Sequence, residues 1–404
     1  MTNWQTIAGG VTAPQGFRAA GVTAGLKPSG APDLALIVSD TPAVAGGVFT
    51  TSVVRAACVD LNEELIRSRQ LVAGILCNAG QANACTGEEG RQNAMECAHL
   101  TQTALNSPYP VLVASTGVIG RQLAMDLIRK AIPTVVANLS KEGSEDAARA
   151  IITTDLVTKS VSIEGEIAGV PVRVGGMCKG SGMIHPNMAT MLAFLTTDAT
   201  VSAPVWQEII SRANTISFNQ ITVDGDTSTN DMLLGLANGR SGMAEITSLD
   251  TSAGQDLLEM VTLACVEMAK KVARDGEGAT CLLEVTVTGT DNDASARQVA
   301  KTVVGSSLVK SAVFGRDPNW GRIAAACGRS GVNFDQMQMQ IQLGDFVMMT
   351  AGTPQPFDRA QASAYLKNEL VQIWIKLGDG TGKGTAWGCD LSYDYVKINA
   401  EYTT

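Results

Sequence analysis

The sequence predicts an α/β protein, and two observations support this. Short apolar runs typical of buried strands alternate along the chain with longer amphipathic patterns typical of helices. The composition includes 41 glycines and only 4 % aromatic residues, which suits tight turns and the packing of small side chains. With 404 residues, of which 45 % are hydrophobic and 17 % charged, the chain can bury a large core in one large or two closely joined domains.

The first half of the chain contains strand and helix patterns joined by glycine-rich turns. Residues 8–25 are rich in Gly and Ala and are expected to form loops and turns. The following patterns predict strands at 33–39 and 47–54 around a Thr-Pro turn, a strand at 71–78, a helix at 87–105, a strand at 111–115, a helix between Leu123 and Ile132, a turn after 147–154, and a hairpin at 161–180.

The pattern restarts after residue 190, and this is the only internal division that the sequence indicates. The patterns predict strands at 191–199, 232–238, 282–289, 338–343, 372–377 and 384–390, and helices at 203–217, 254–274, 296–306 and 317–327. Residues 223–231 form a polar turn between a helix and a strand. We find no repeat, low-complexity tract or linker.

Charge and hydropathy exclude two classes of partner. The formal net charge of −9, with no Lys/Arg cluster to offset it, argues against a nucleic-acid surface. No apolar run approaches the roughly 20 residues that a membrane-spanning helix needs. The N-terminal stretch lacks the layout of a signal peptide. We therefore expect a cytoplasmic protein that binds neither nucleic acid nor membrane.

The cysteine and histidine content limits the chemistry. The nine cysteines are widely spread without a CxxC pair, which predicts free, mostly buried thiols. Only His99 and His185 are present, so a histidine-rich metal site or a Ser-His-Asp triad is hard to assemble. No metal is expected, and a nucleophile would need a base other than histidine.

The stretch KGSGMIHPNMATMLAF (179–194) places a threonine between a glycine-rich segment and a buried strand. Our hypothesis is that the chain is cut between Ala189 and Thr190, so that Thr190 becomes an N-terminal nucleophile. Its freed α-amine, with a reference pKa of about 7.7–8.0, would then serve as the base. The alternative is that Ala-Thr simply begins a strand.

Other candidate residues each have a functional and a structural interpretation. Thr116 and Gly117 follow a buried strand and could stabilise an oxyanion, or form an ordinary turn. Lys179 could pair with a substrate carboxylate or a developing negative charge, and Glu277 could bind a substrate ammonium; either could equally be solvated. His185 is interpreted as structural. The glycine-rich stretch 378–388 lacks the spacing of a phosphate-binding loop.

Several stretches together resemble the ornithine acetyltransferase family, the bifunctional glutamate N-acetyltransferases of arginine biosynthesis. The matching segments are CNAGQANACTGEEG (77–90), STGVIG (115–120), TTD (153–155), KGSGMIHPNMATMLAF (179–194), DGEGAT (275–280), GRDPNWGRIAAA (315–326) and YVKINAEYTT (395–404). They cover nearly the whole chain in the family's order. The segment around Ala189 and Thr190 is the most specific.

The resemblance implies roles for particular residues. Thr190 matches the nucleophile, and Thr116 with Gly117 match the oxyanion-stabilising pair. The positions that match substrate-binding residues are Thr153 or Thr154, Lys179, Thr190, Glu277, Asn399 and Thr404. The chain ends in Glu-Tyr-Thr-Thr rather than the family's usual Asp-Tyr-Arg-Thr, a departure at Thr403 that leaves Asn399 and Thr404 in place.

The resemblance also implies a fold and an activity. The expected fold layers sheets and helices as in N-terminal-nucleophile hydrolases, with fragments 1–189 and 190–404 intertwined in one catalytic unit and two such pairs assembled. The expected reaction moves acetyl from N2-acetyl-L-ornithine to L-glutamate through acetyl-Thr190, giving L-ornithine and N-acetyl-L-glutamate. It needs no cofactor, although acetyl-CoA is a possible second acetyl donor. The alternatives are a transferase for another acyl-amino acid, an N-terminal-nucleophile amidase or peptidase, and a non-enzymatic amino-acid-binding protein.

Overall fold

The computed structural model describes residues 4–185 and 191–401, which form two β-sheets layered with helices. Ala189, Thr190 and Thr404, which the sequence marks as functional, lie outside the described residues. The α/β class predicted from the sequence is confirmed by this layered arrangement.

The larger sheet has nine strands and is drawn from both halves of the chain. Its strands are β1 (Gln5–Thr6), β2 (Phe17–Val22), β3 (Leu34–Phe49), β4 (Val72–Gln81), β5 (Val111–Val118), β6 (Lys159–Ile167), β7 (Val170–Lys179), β8 (Leu192–Thr197) and β10 (Met232–Ala237). They lie in the order β1-β6-β7-β8-β10-β3-β4-β5, and β2 also pairs with β3. Strands on either side of residue 190 are therefore hydrogen-bonded in one sheet.

Strands β8 and β10 separate two hydrophobic cores. Leu192 and Phe194 of β8 face one core, whereas Ala193 and Leu195 face the other. Both strands are buried on both faces, which is why each reads as a continuous apolar run rather than an alternating one. Strand β8 is antiparallel to β7, with Lys179 opposite Leu192, and parallel to β10.

The smaller sheet has seven strands, all from residues after 220. Its strands are β9 (Ile221–Thr222), β11 (Leu282–Thr290), β12 (Gln340–Leu343), β13 (Phe346–Thr350), β14 (Thr353–Pro354), β15 (Leu370–Lys376) and β16 (Gly382–Cys389). They lie in the order β14-β13-β12-β15-β11-β16-β9. Strand β11 alternates buried and less buried residues, so this sheet packs chiefly through one face.

The helices fill the layers around the two sheets. They are α1 (Ala57–Arg67), α2 (Gly87–Ala104), α3 (Met125–Ala137), α4 (Ser144–Ile151), α5 (Ala203–Ile216), α6 (Ser252–Arg274), α7 (Asp293–Val304), α8 (Ser307–Phe314), α9 (Trp320–Gly328), α10 (Arg359–Tyr365) and α11 (Tyr393–Glu401). Helices α1 to α4 share the first core. Helices α5 and α6 share the second, and α6 contacts both sheets. Helices α7 to α10 cover the smaller sheet.

Several expectations from the sequence were wrong. The Thr-Pro turn is absent from the described chain: β3 runs on through Pro42, with a shift in its register against β4 between Val38 and Ala43. Proline is tolerated at such an irregularity because no ladder hydrogen bond is lost there. Residues 8–25 contain β2 rather than only loop, and the predictions missed α1, α4, α8, α10 and α11. These helices span only 7 to 11 residues, so each offers about two or three turns in which a pattern can be recognised.

The cysteines are free thiols, as the sequence predicts. All nine cysteines are free, and all except Cys85 are buried. Within residues 4–185 and 191–401, no cluster of side chains suits a metal ion, and no helix is long and apolar enough to cross a bilayer.

Candidate active site

A cleft of about 180 Å³ opens where the carboxyl ends of β5 and β7 meet the amino ends of β8 and β10. The candidate residues that the structure describes all line it: Thr116, Gly117, Thr153, Thr154, Lys179, Glu277 and Asn399. Met191, which follows Thr190 in the chain, also lines the cleft. The fold thus gathers residues spread over nearly 300 positions of sequence, although their chemical roles stay predictions.

The pair Thr116 and Gly117 lies at the end of β5, where it runs parallel to β4. Gly117 has a φ of +129°, and a β-carbon there would lie 2.3 Å from the carbonyl carbon of Gly80. Only glycine fits this close approach and this backbone conformation. Asn230 fixes the same strand ends by donating to the carbonyl oxygens of Ala82 (2.6 Å) and Ser115 (2.8 Å). The backbone beside Thr116 is therefore held rigidly, as an oxyanion site requires.

Lys179 lies at the end of β7 and reaches the oxyanion candidate. Its Nζ is 3.4 Å from Oγ1 of Thr116 and 4.0 Å from Oδ2 of Asp155. The residue is only 9 % exposed, so it is not the solvated surface lysine that its sequence context allowed. Its ammonium group is a fixed positive charge inside the cleft.

Glu277 follows α6 and is held between Gly182 and the C-terminal helix. Its Oε2 accepts a hydrogen bond of 2.8 Å from Nδ2 of Asn399 in α11. A β-carbon on Gly182 would lie 2.4 Å from the Glu277 carboxyl group, so glycine is needed there for the carboxylate to approach the backbone. Glu277 is 8 % exposed. It is therefore a held carboxylate, not an exposed loop acid.

The polar turn before β10 brings three further carboxyl groups to the cleft, those of Asp224, Asp226 and Asp231, and two of them accept backbone hydrogen bonds from the neighbouring segments. Asp224 accepts backbone hydrogen bonds from Met183 (2.6 Å) and Ile184 (2.9 Å), and burial raises the pKa of its carboxyl. Asp231 is almost fully buried; it accepts the amide of Ser228 at 3.0 Å and the amide of Met191. Burial raises the pKa of Asp231 well above the ordinary aspartate value. The segments on both sides of 186–190 are thus anchored by aspartates.

His185 makes the structural contacts that the sequence favours for it, and Cys178 is one of the buried thiols. The Nδ1 of His185 lies 2.9 Å from Oγ1 of Thr222, and burial lowers the pKa of the imidazole to about 4. Cys178 is buried, and burial raises the pKa of its thiol to about 12. Such a thiol is not ionised near neutral pH, so it is a poor nucleophile.

Sequence reasoning missed several residues of the cleft. Asp155 of the TTD segment does not itself line the cleft but lies 4.0 Å from Nζ of Lys179, which does, and only the threonines of that segment were singled out. The turn 223–231 was taken only as a connection, although Asp224, Asp226, Ser228, Thr229, Asn230 and Asp231 all line the cleft. The usable signal was its density of Asp, Ser, Thr and Asn directly before an apolar strand, because such side chains cap and orient backbone amides.

The chain is similar to known proteins over nearly its whole length. Residues 18–404 match the ArgJ family. The chain is 61 % identical to the arginine biosynthesis bifunctional protein ArgJ 1 of Nostoc sp. over 100 % of both chains. It is 52 % identical to the chloroplastic bifunctional protein ArgJ of Citrullus lanatus, covering 99 % of this chain and 90 % of that one.

A solved structure is also similar. The crystal structure of the arginine biosynthesis bifunctional protein ArgJ from Bacillus halodurans superposes with a TM-score of 0.52 at 47 % identity. The match covers 53 % of this chain and 100 % of that one. The family match and the full-length identities show that the chain belongs to the ArgJ family.

Proposed function

We propose that the protein transfers an acetyl group from N2-acetyl-L-ornithine to L-glutamate in arginine biosynthesis. The observation that carries the proposal is the convergence of Thr116, Gly117, Lys179 and Glu277 with Met191, the neighbour of Thr190, around one cleft. Family membership gives the acyl-transfer chemistry, and the cleft supplies groups suited to it.

The reaction proceeds in two steps through one covalent intermediate. The hydroxyl oxygen of Thr190 attacks the acetyl carbonyl while its own α-amine takes the hydroxyl proton. Thr116 and the amide of Gly117 stabilise the resulting oxyanion. The C–N bond breaks, ornithine leaves with the proton on its amine, and an acetyl ester remains on Thr190. The glutamate amine then attacks the ester, and N-acetyl-L-glutamate leaves as Thr190 recovers its proton.

The charges of the cleft suit two amino acids that bind in turn. Among the described lining residues, Lys179 is the one cationic side chain, which supports the proposal that it holds the α-carboxylate that both substrates share. The carboxyl groups of Glu277, Asp224 and Asp226 line the cleft and favour substrate ammonium groups. Thr153 and Thr154 both line the cleft, and Thr404 is proposed to complete it from the chain end.

Activation by cleavage between Ala189 and Thr190 fits the way the fold is built. The strands flanking the junction, β7 and β8, are paired in one sheet, so fragments 1–189 and 190–404 would stay together after a cut. The Bacillus halodurans chain matches in full yet covers 53 % of this chain. Residues 190–404 make up a similar share of this chain, which supports a cut between Ala189 and Thr190.

The remaining expectations are part of the same proposal. We expect two copies of each fragment in the active assembly, a cytoplasmic location, and a reaction that needs no metal or organic cofactor. The word bifunctional in the names of the relatives favours a second acetyl donor, for which we propose acetyl-CoA. Incubation with acetyl-CoA and glutamate, with N-acetylglutamate measured by mass, tests this directly.

Electrophoresis under denaturing conditions with intact mass tests the central proposal. The active protein should give fragments that end at Ala189 and begin at Thr190, together with glutamate-dependent release of ornithine from acetylornithine. Thr190→Ala should remove both cleavage and transfer, whereas Thr190→Ser, which keeps the hydroxyl, should retain part of each. An uncut chain with full activity would contradict the α-amine base, and acetate release without glutamate would indicate an amidase.

A further inference from the structure

A single buried carboxylate connects three segments around the cleft. The side chain of Asp155 is fully buried. Its Oδ1 accepts hydrogen bonds of 2.6 Å from both the amide of Gly180 and Nζ of Lys159, and its Oδ2 accepts the amide of Thr153 at 3.0 Å. Asp155 therefore fixes the Thr153 loop against the backbone that directly follows Lys179.

Lys159 extends this connection to the segment that carries Glu277. Its buried Nζ also lies 2.6 Å from Oδ2 of Asp275, two residues before Glu277. Burial by itself would raise the pKa of Asp155, but the neighbouring lysines and hydrogen bonds outweigh it and hold that pKa at about 2. The carboxylate is thus ionised at neutral pH, and its loss would leave a buried ammonium short of a partner.

The same carboxylate faces the ammonium group that approaches the oxyanion residue. Nζ of Lys179 lies between Oδ2 of Asp155 (4.0 Å) and Oγ1 of Thr116 (3.4 Å). An ammonium group has three hydrogens to donate and no lone pair with which to accept. Oγ1 of Thr116 must therefore be the acceptor in this contact, and the hydroxyl hydrogen of Thr116 stays free to point into the cleft.

We propose that Asp155 and Lys179 are positioning residues for the oxyanion site: Asp155 holds Lys179, and Lys179 orients the hydroxyl of Thr116 so that its hydrogen is donated to the oxyanion. The inference rests on the acetyl transfer proposed above. It gives Lys179 a second role beside carboxylate binding, since its third hydrogen remains available to the substrate.

A double-mutant cycle tests whether Lys179 acts through Thr116. Thr116→Val removes the donor, and loss of one oxyanion donor lowers kcat by about 100-fold or more. Lys179→Met leaves the hydroxyl of Thr116 present but free to rotate. The fall in kcat should therefore be about tenfold, smaller than the fall expected for Thr116→Val. In the Thr116→Val background, Lys179→Met should lower kcat no further, while KM still rises from lost carboxylate binding. Additive losses in kcat would overturn the proposal.

A second double-mutant cycle tests whether Asp155 acts through Lys179. It leaves Thr116 unchanged, so it can be measured even if Thr116→Val prevents cleavage. Asp155→Asn should lower kcat several-fold in the wild-type background but not in the Lys179→Met background. The matched control is Asp198→Asn: Asp198 is also fully buried and accepts two backbone amides, but their residues, Gln15 and Arg173, do not line the cleft, whereas Thr153 and Gly180, which donate to Asp155, do. Its kcat should equal that of the wild type.

The outcomes separate this inference from the proposed function. If Asp155→Asn and Lys179→Met lower kcat independently, or if Asp198→Asn lowers kcat as much as Asp155→Asn does, the role of Asp155 is structural only. Cleavage of each variant is checked by electrophoresis, and its melting temperature is recorded, so that folding defects are recognised. A wild-type protein without any glutamate-dependent transfer would instead refute the function on which the inference depends.

Discussion

Gly182→Ala is expected to damage the site without damaging the fold. The new β-carbon would lie 2.4 Å from the carboxyl carbon and both oxygens of Glu277. Carbon contacts are optimal from about 3.5 Å, so the carboxyl group must retreat by about 1 Å. The φ of Gly182 lies outside the left-handed region, so alanine adds no backbone strain. The group that moves is the end of a flexible side chain.

The expected result is a kinetic defect at nearly unchanged stability. A displacement of about 1 Å at a substrate-positioning group can cost about 100-fold, so kcat/KM for both acetylornithine and glutamate should fall by that order. The hydrogen bond of 2.8 Å between Glu277 and Asn399 should weaken as well. Initial rates at varied concentrations of each substrate measure the first effect, and thermal unfolding should show a change of only a few degrees.

The control for this substitution is Gly328→Ala in α9. A β-carbon at Gly328 meets no atom within 4 Å, and alanine is favoured over glycine inside a helix by about 1 kcal/mol. This variant should keep wild-type kinetics and full stability. Unchanged kcat/KM in Gly182→Ala would refute the role of the Glu277 carboxylate, and an unfolded Gly182→Ala protein would refute the claim that only a side-chain end must move.

Three further substitutions test other parts of the site. Gly117→Ala should lower kcat by at least about 100-fold and reduce stability, because the backbone of Gly117 is left-handed and a β-carbon there would lie 2.3 Å from the carbonyl carbon of Gly80. The control is Gly30→Ala, where φ is also positive but no atom lies within 4 Å of the new β-carbon; it should reduce stability and leave kcat unchanged. Because burial lowers the pKa of His185 to about 4, the unfolded state binds its proton first. The contribution of His185 to the free energy of unfolding should therefore decrease as the pH falls from about 6.5 to about 4, by less than the roughly 3 kcal/mol expected of a fully buried group, because solvent screens a partly exposed imidazole. Urea titrations across this range should be flatter for His185→Asn. Asn230→Asp, which turns a carboxylate towards two backbone carbonyl oxygens, should prevent active protein from accumulating, and normal yield and activity would contradict this.

Strand prediction succeeded where burial on both faces left a continuous apolar run. Residues 192–197 and 232–237 lie between two cores, and each begins with a run of apolar side chains, LAFL and MLL. Prediction failed where local signals were weak or misleading. The Thr-Pro pair at 41–42 is typical of a turn, yet pairing on both sides keeps it within β3, because long-range hydrogen bonds outweigh a local preference.

The sequence by itself determined the α/β class, the free thiols, the shortage of histidine and the candidate residues of the site, since composition, periodicity and motif order are local properties of a chain. Only the tertiary structure decided that Lys179 and Glu277 are buried and that Asp155 lies behind Lys179. Lys159, which pairs with both Asp155 and Asp275, joins segments from the two halves of the chain, and this geometry depends on sheet order and register. The stretch 179–194 therefore carries the proposed nucleophile, whereas the folding of distant segments determines which residues line the cleft.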